Sequence, residues 1–224
     1  MTDGGIAVHS TPVGSRRVRG WVGLLALEAL AVVAYFAISG DSVGELRYVV
    51  YPFVWINVGL WAAIDTSPSP GSRRHQIVGV AVGLVYFLAV MAVPGKIGVG
   101  VAGVPVDLRI GWYVPGWGPL LAFQSPWLRL FLVPFEVIGY GALAYLVYAN
   151  ALQFARGTVS GALGLVTCIG CTVPVLAPLL GLLGGPASSL TTTAYAWSYD
   201  VGTLVFVVAV GLLLASHEGR LPWR

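Results

Sequence analysis

The chain has 224 residues, 57% of them hydrophobic and 9% charged, with a formal net charge of +3 and a mean hydropathy of +0.85. A soluble domain carries about 25% charged residues, and one soluble core of this length would leave much of that apolar surface in water. Composition therefore predicts a multi-pass protein of the cell membrane, with the lipid bilayer as its first partner, and the lack of any long basic run excludes a nucleic-acid binder.

Residues 1–19 read as a polar cytoplasmic tail, its first fifteen positions Gly-rich and expected to be disordered. Six apolar segments follow: Gly20–Ser39, Leu46–Ile64, Gln76–Val93, Trp127–Asn150, Thr158–Leu183 and Thr193–Ser216. Most approach the roughly 20 residues a helix needs to cross about 30 Å of hydrocarbon. The expected fold is thus all-α: a six-helix transmembrane bundle over residues 20–216, an external loop over 94–126, and a short cytoplasmic tail over 217–224. The first segment is too long for the apolar part of a secretory signal and no A-x-A site follows it, so it reads as an uncleaved anchor.

Basic residues orient the spans. With both termini cytoplasmic, Arg16, Arg17, Arg19, Arg73, Arg74, Arg156, Arg220 and Arg224 lie inside, and Arg47, Lys96, Arg109 and Arg129 lie outside. Between spans three and four, KIGVGVAGVPVDLRIGWYV alternates on both sides of a Gly-Val-Pro turn, which predicts a short β-hairpin. The next stretch, PGWGPLLAFQSPW, reads as an interfacial or re-entrant piece anchored by Trp117 and Trp127. Gly79-x-x-x-Gly83 and Gly157-x-x-x-Gly161 are read as close-packing positions within the bundle. No internal repeat is visible, which removes support for an inverted-repeat transporter.

Three acids fall inside predicted spans: Glu28, Glu136 and Asp200. An ionisable group at mid-membrane costs roughly 2.5–3.5 kcal/mol on insertion scales, so each must find a partner. Helical spacing would put Arg129, Glu136 and Tyr140 on one side of the fourth helix, with Arg129 as the counter-charge. The acids either line a proton or ion path, together with Arg129, or serve as local structural groups.

The fifth segment contains TCIGCTVPVLAP, residues 167–178. Cys168 and Cys171, three apart, share a side of a helix. Pro174 clashes with the carbonyl of Gly170, between the two thiols, and Pro178 breaks the next turn, so a kink is predicted at the sulfurs. Paired thiols so placed can cycle as a disulfide or hold a soft metal such as Cu(I); packing alone is the other reading. Cysteine followed closely by proline in a membrane helix resembles the thiol–disulfide transporters of the DsbD and cytochrome-c-biogenesis type. In that family the cysteines come from two helices, whereas here both lie on one. The whole chain also resembles uncharacterised archaeal polytopic membrane proteins, a resemblance that implies respiratory or haem-biogenesis surroundings.

His9, His75 and His217 all lie outside the predicted spans, so no axial haem ligand is available within them, and no Walker loop or Ser-His-Asp set is present. No cofactor is assigned beyond the soft-metal option, and an enzymatic role is not expected. Three functions remain open. One is a thiol-redox or soft-metal accessory factor acting through Cys168 and Cys171, with another membrane protein or an external soluble redox protein as partner. The second is a transporter or permease subunit using the acids. The third is a structural subunit of a membrane complex.

Overall fold

The computed structural model describes residues 12–40, 44–68, 71–154 and 189–217. The chain divides into two compact units, Met1–Glu45 and Leu46–Arg224. Among the described residues, the first contains the helix α1 (Pro12–Ser39). Proline suits the first helical position because its missing N–H would have no partner there. The helix stops at Gly40, whose φ of 68° only glycine adopts without strain and whose N–H bonds the Phe36 carbonyl at 3.3 Å. Helix thus begins inside the stretch expected to be disordered.

The second unit runs α2 (Leu46–Asp65), α3 (Arg73–Ala92), β1 (Ile97–Val99), β2 (Asp107–Gly111), β3 (Leu120–Gln124), β4 (Leu128–Leu132), α4 (Pro134–Phe154) and α5 (Ser189–His217). By length and composition, all five helices among the described residues could cross a bilayer, with mean hydropathies of 1.3 to 2.1. Helix α4 is the hub, packing on α2, α3 and α5. It contributes Leu143, Leu146 and Val147 to a core completed by Trp55 and Ala62 of α2 and by Phe206, Val210 and Leu213 of α5.

Small residues set the closest approach. A Cβ on Gly83 would stand 3.0 Å from the Ala144 carbonyl oxygen, and one on Gly79 would stand 3.0 Å from the Tyr148 ring. The first Gly-x-x-x-Gly is therefore the α3–α4 contact, as its spacing implies. The second, with the fifth predicted span, lies outside the described residues. At the end of α4 away from the sheet, Asn150 is buried and donates to the carbonyls of Leu146 and Leu213 at 2.9 and 3.3 Å, while Ser216 donates to its Oδ1 at 2.8 Å. A buried amide satisfied on both sides joins α4 to α5 without leaving a polar atom exposed to an apolar core.

The all-α six-helix expectation is overturned by a four-stranded antiparallel sheet in the order β1-β4-β3-β2. Strands β1 and β2 do not pair with each other as the expected hairpin would. Ile97 faces Leu130 across β1–β4, and Leu108 faces Phe123 across β2–β3. The supposed interfacial piece supplies β3, and the start of the fourth predicted span is β4. The central hairpin turns at Ser125, whose Oγ accepts from the Leu128 N–H at 3.0 Å. Pro134 then opens α4, since proline disfavours helix in the residue before it and is tolerated at the first helical position.

Register divides the sheet into two faces. One carries the row Gly98, Arg129, Gln124 and Asp107, with Leu120 near the base packed toward the helical core. The other is entirely apolar: Ile97, Val99, Leu128, Leu130, Leu132, Leu121, Phe123, Leu108 and Ile110.

Gly83→Val tests the α3–α4 contact. Its side chain would press on backbone, and overpacking of this kind costs about 1–3 kcal/mol. Gly141 on α4 has nothing within 4 Å of its Cβ position, so Gly141→Ala should leave stability equal or higher. Thermal unfolding in detergent that ranks the two variants alike would refute the contact.

Candidate functional site

Ionised groups concentrate where the sheet meets the helices. Asp200, in α5, accepts hydrogen bonds from Arg47 Nη1 and from the Tyr51 hydroxyl, each at 2.7 Å. Both donors come from the first two turns of α2, about 150 residues away in sequence, so this pair ties α2 to α5. Glu136, in the first turn of α4, is met by Lys96. The lysine Nζ stands 2.9 Å from Oε1 and 2.7 Å from Oε2, so one ammonium faces both carboxylate oxygens. Lys96 sits between α3 and β1, so this second pair anchors the entry to the sheet against the helix that leaves it.

Aromatic rings fill the space beside the two pairs. Tyr199 lies 5.4 Å from Tyr48, 5.3 Å from Tyr51 and 5.6 Å from Trp117, centroid to centroid. Deeper, Trp55 stacks on Phe206 at 4.1 Å and 7° and donates its indole N–H to Thr203 Oγ1 at 3.1 Å. A cavity of about 20 Å³ lies among Trp55, Tyr86, Tyr140, Leu143, Val205 and Phe206. The pocket is only partly enclosed, and that volume is room for about one water.

The loop before β3 closes this end through a local defect in α2. Pro52 stands inside the helix and lacks the N–H that would bond the Tyr48 carbonyl. Trp117 supplies the donor instead, its indole N–H reaching that oxygen at 2.7 Å. Gly116 allows the approach: its φ is 94°, and a Cβ there would lie 2.5 Å from the Pro52 Cβ.

Glu136 and Asp200, both candidates from the sequence, lie at this end of the bundle. The structure gives them other partners than expected. Arg129 is in β4, not on a helix beside Glu136, and it makes no ion pair among the described residues; its Nε is buried without a hydrogen-bond partner. Glu136 is the third residue of α4, not mid-helix. Glu28 lies in α1, within the other unit. Cys168, Cys171, Pro174 and Pro178 lie outside the described residues, so the thiol pair and its kink are not placed. Among the described residues no group of three or more His, Cys, Asp or Glu could hold a metal ion. The partners of Asp200 and Glu136, namely Arg47, Tyr51 and Lys96, were missed. The usable signal was that Lys96 is the chain's only lysine and sits two residues after the Pro94 that follows an apolar helix.

Residues 1–220 match a family described as a family of unknown function (DUF7546). The chain belongs to that family. No curated protein and no solved structure matches it.

Removing one partner of the sheltered pair strands a charge. Lys96→Met should destabilise the chain by about 3 kcal/mol, and the double variant Lys96→Met, Glu136→Leu should recover most of that loss. Denaturant unfolding of the single and double variants in detergent checks this. Equal losses in both would mean that the pair does not act as a unit.

Proposed function

We propose that the chain is a multi-pass integral membrane protein serving as a non-catalytic accessory or structural subunit, with its sheet presented outside the membrane to other components of a complex. One observation carries this reading. Two of the three acids expected to line a path, Asp200 and Glu136, are each neutralised by an internal cation, and the pocket among the neighbouring rings has room for about 20 Å³. Groups so engaged hold elements together and leave little for transport. The membrane setting is supported by apolar residues on the outer faces of the helices, among them Ile77, Val80, Leu84 and Leu88 of α3 and Leu204, Val208 and Leu212 of α5, all exposed. Lipid is the solvent that such a surface fits. The sheet supports the partner role: its apolar face includes Val99 at 84% exposure and Leu108 at 59%.

The thiol reading deepens the same role. A redox or Cu(I)-handling accessory would work through Cys168 and Cys171, in keeping with the DsbD-like Cys-Pro stretch. One set of variants separates the readings. Native electrophoresis of detergent-solubilised membranes should show the chain in an assembly larger than itself. Val99→Glu with Leu128→Glu should disperse that assembly, and Cys168→Ser with Cys171→Ser should leave it intact. An assembly indifferent to the sheet variants sinks the accessory reading. Loss of thiol oxidation or bound copper from an otherwise intact assembly in the serine variant would establish the thiol role. Ion flux in vesicles that disappears with Glu136→Gln would favour a transporter.

A further inference from the structure

Strand β2 is an edge. In the order β1-β4-β3-β2 its outer side meets no strand among the described residues, and at five residues it is longer than the three-residue edge β1. Open edges recruit further strands unless charge, proline or a bulge prevents it. On β2 the charges do not prevent it, because they cancel: Arg109 Nε donates to the Asp107 carboxylate on the same face. On the opposite face Val106, Leu108 and Ile110 are 61, 59 and 58% exposed.

We infer that a second copy of this chain pairs antiparallel along β2, about a two-fold axis through Leu108. In this register Leu108 meets the partner's Leu108, Val106 meets the partner's Ile110, and Asp107 meets the partner's Arg109, each of the last two contacts occurring twice. No other antiparallel register sets both acids opposite both bases. Centring the axis on Arg109 would oppose two guanidinium groups, which is unfavourable for directly facing residues. The strand is therefore self-complementary in charge and in apolar pattern, as an isologous interface requires. The axis runs perpendicular to the sheet. Leu120, on the charged face, packs toward the helical core, so that face looks to the helices and both copies sit the same way up in one bilayer. The result is one eight-stranded sheet spanning two bundles. The inference rests on the accessory-subunit reading for its membrane setting and names that subunit's first partner.

The full-length chain, purified in detergent, should be dimeric by light scattering. In a Cys168→Ser, Cys171→Ser background, Leu108→Cys should oxidise to a covalent dimer, and Leu128→Cys, on the same apolar face but in β4, should not. Arg109→Asp sets like charges opposite each other twice and should raise the dissociation constant roughly tenfold. Adding Asp107→Arg should restore the dimer, which also shows that the single variant still folds. A monomer at every concentration, or a dimer that ignores the charge exchange and fails to cross-link at position 108, overturns the pairing. A monomer that still enters a larger assembly defeats the pairing alone. A charge-sensitive dimer that enters no larger assembly defeats the accessory reading alone.

Discussion

A carboxylate among apolar helices needs a cation, and here each of two carboxylates takes one from a distant part of the chain. Coulomb attraction strengthens as water is excluded, but so does the penalty for any charge left alone. That penalty makes the pairing a constraint on architecture. Asp200 can sit where it does only if the start of α2 brings Arg47 and Tyr51 to it, and Glu136 only if the exit of α3 brings Lys96. The sheet end of the molecule is arranged around these two demands.

Backbone atoms obey the same constraint. Proline inside α2 frees the Tyr48 carbonyl, and the loop leading into β3 answers with the Trp117 indole. That contact holds the loop on α2 just before β3 begins. Strands in so apolar a chain are tolerable because they pair with one another. Both central strands, β3 and β4, have neighbours on either side, which leaves β1 and β2 as the edges of the sheet.

Much of the helical layout was legible. Segments of about 20 apolar residues announced α2, α3 and most of α5, and the Gly79–Gly83 spacing announced the α3–α4 contact. The sheet was less so. WLRLFLVPFEVIGYG reads as one continuous apolar run, and length alone favours a helix there. Pro134 marked the true boundary, because a strand can precede a proline more easily than a helix can. The hairpin failed for a different reason. Alternation in β1 and β2 predicts strands but not partners, and each found a better one in β3 or β4 than in the other. At the site, both acids in this unit were recognisable as costly residues, but their cations were not, lying 40 and 153 positions away.

Composition by itself determined that this chain must hide or immerse an unusual share of apolar surface, because hydropathy is a sum over residues and needs no geometry. It also determined where helices could run, since apolar length is local, and which ionised groups would need compensation. Tertiary structure alone decided which strands pair, that Arg129 belongs to a strand while Lys96 neutralises Glu136, and that β2 is left at an edge. Those outcomes depend on long-range competition between partners, and a linear pattern does not contain the distances that settle it.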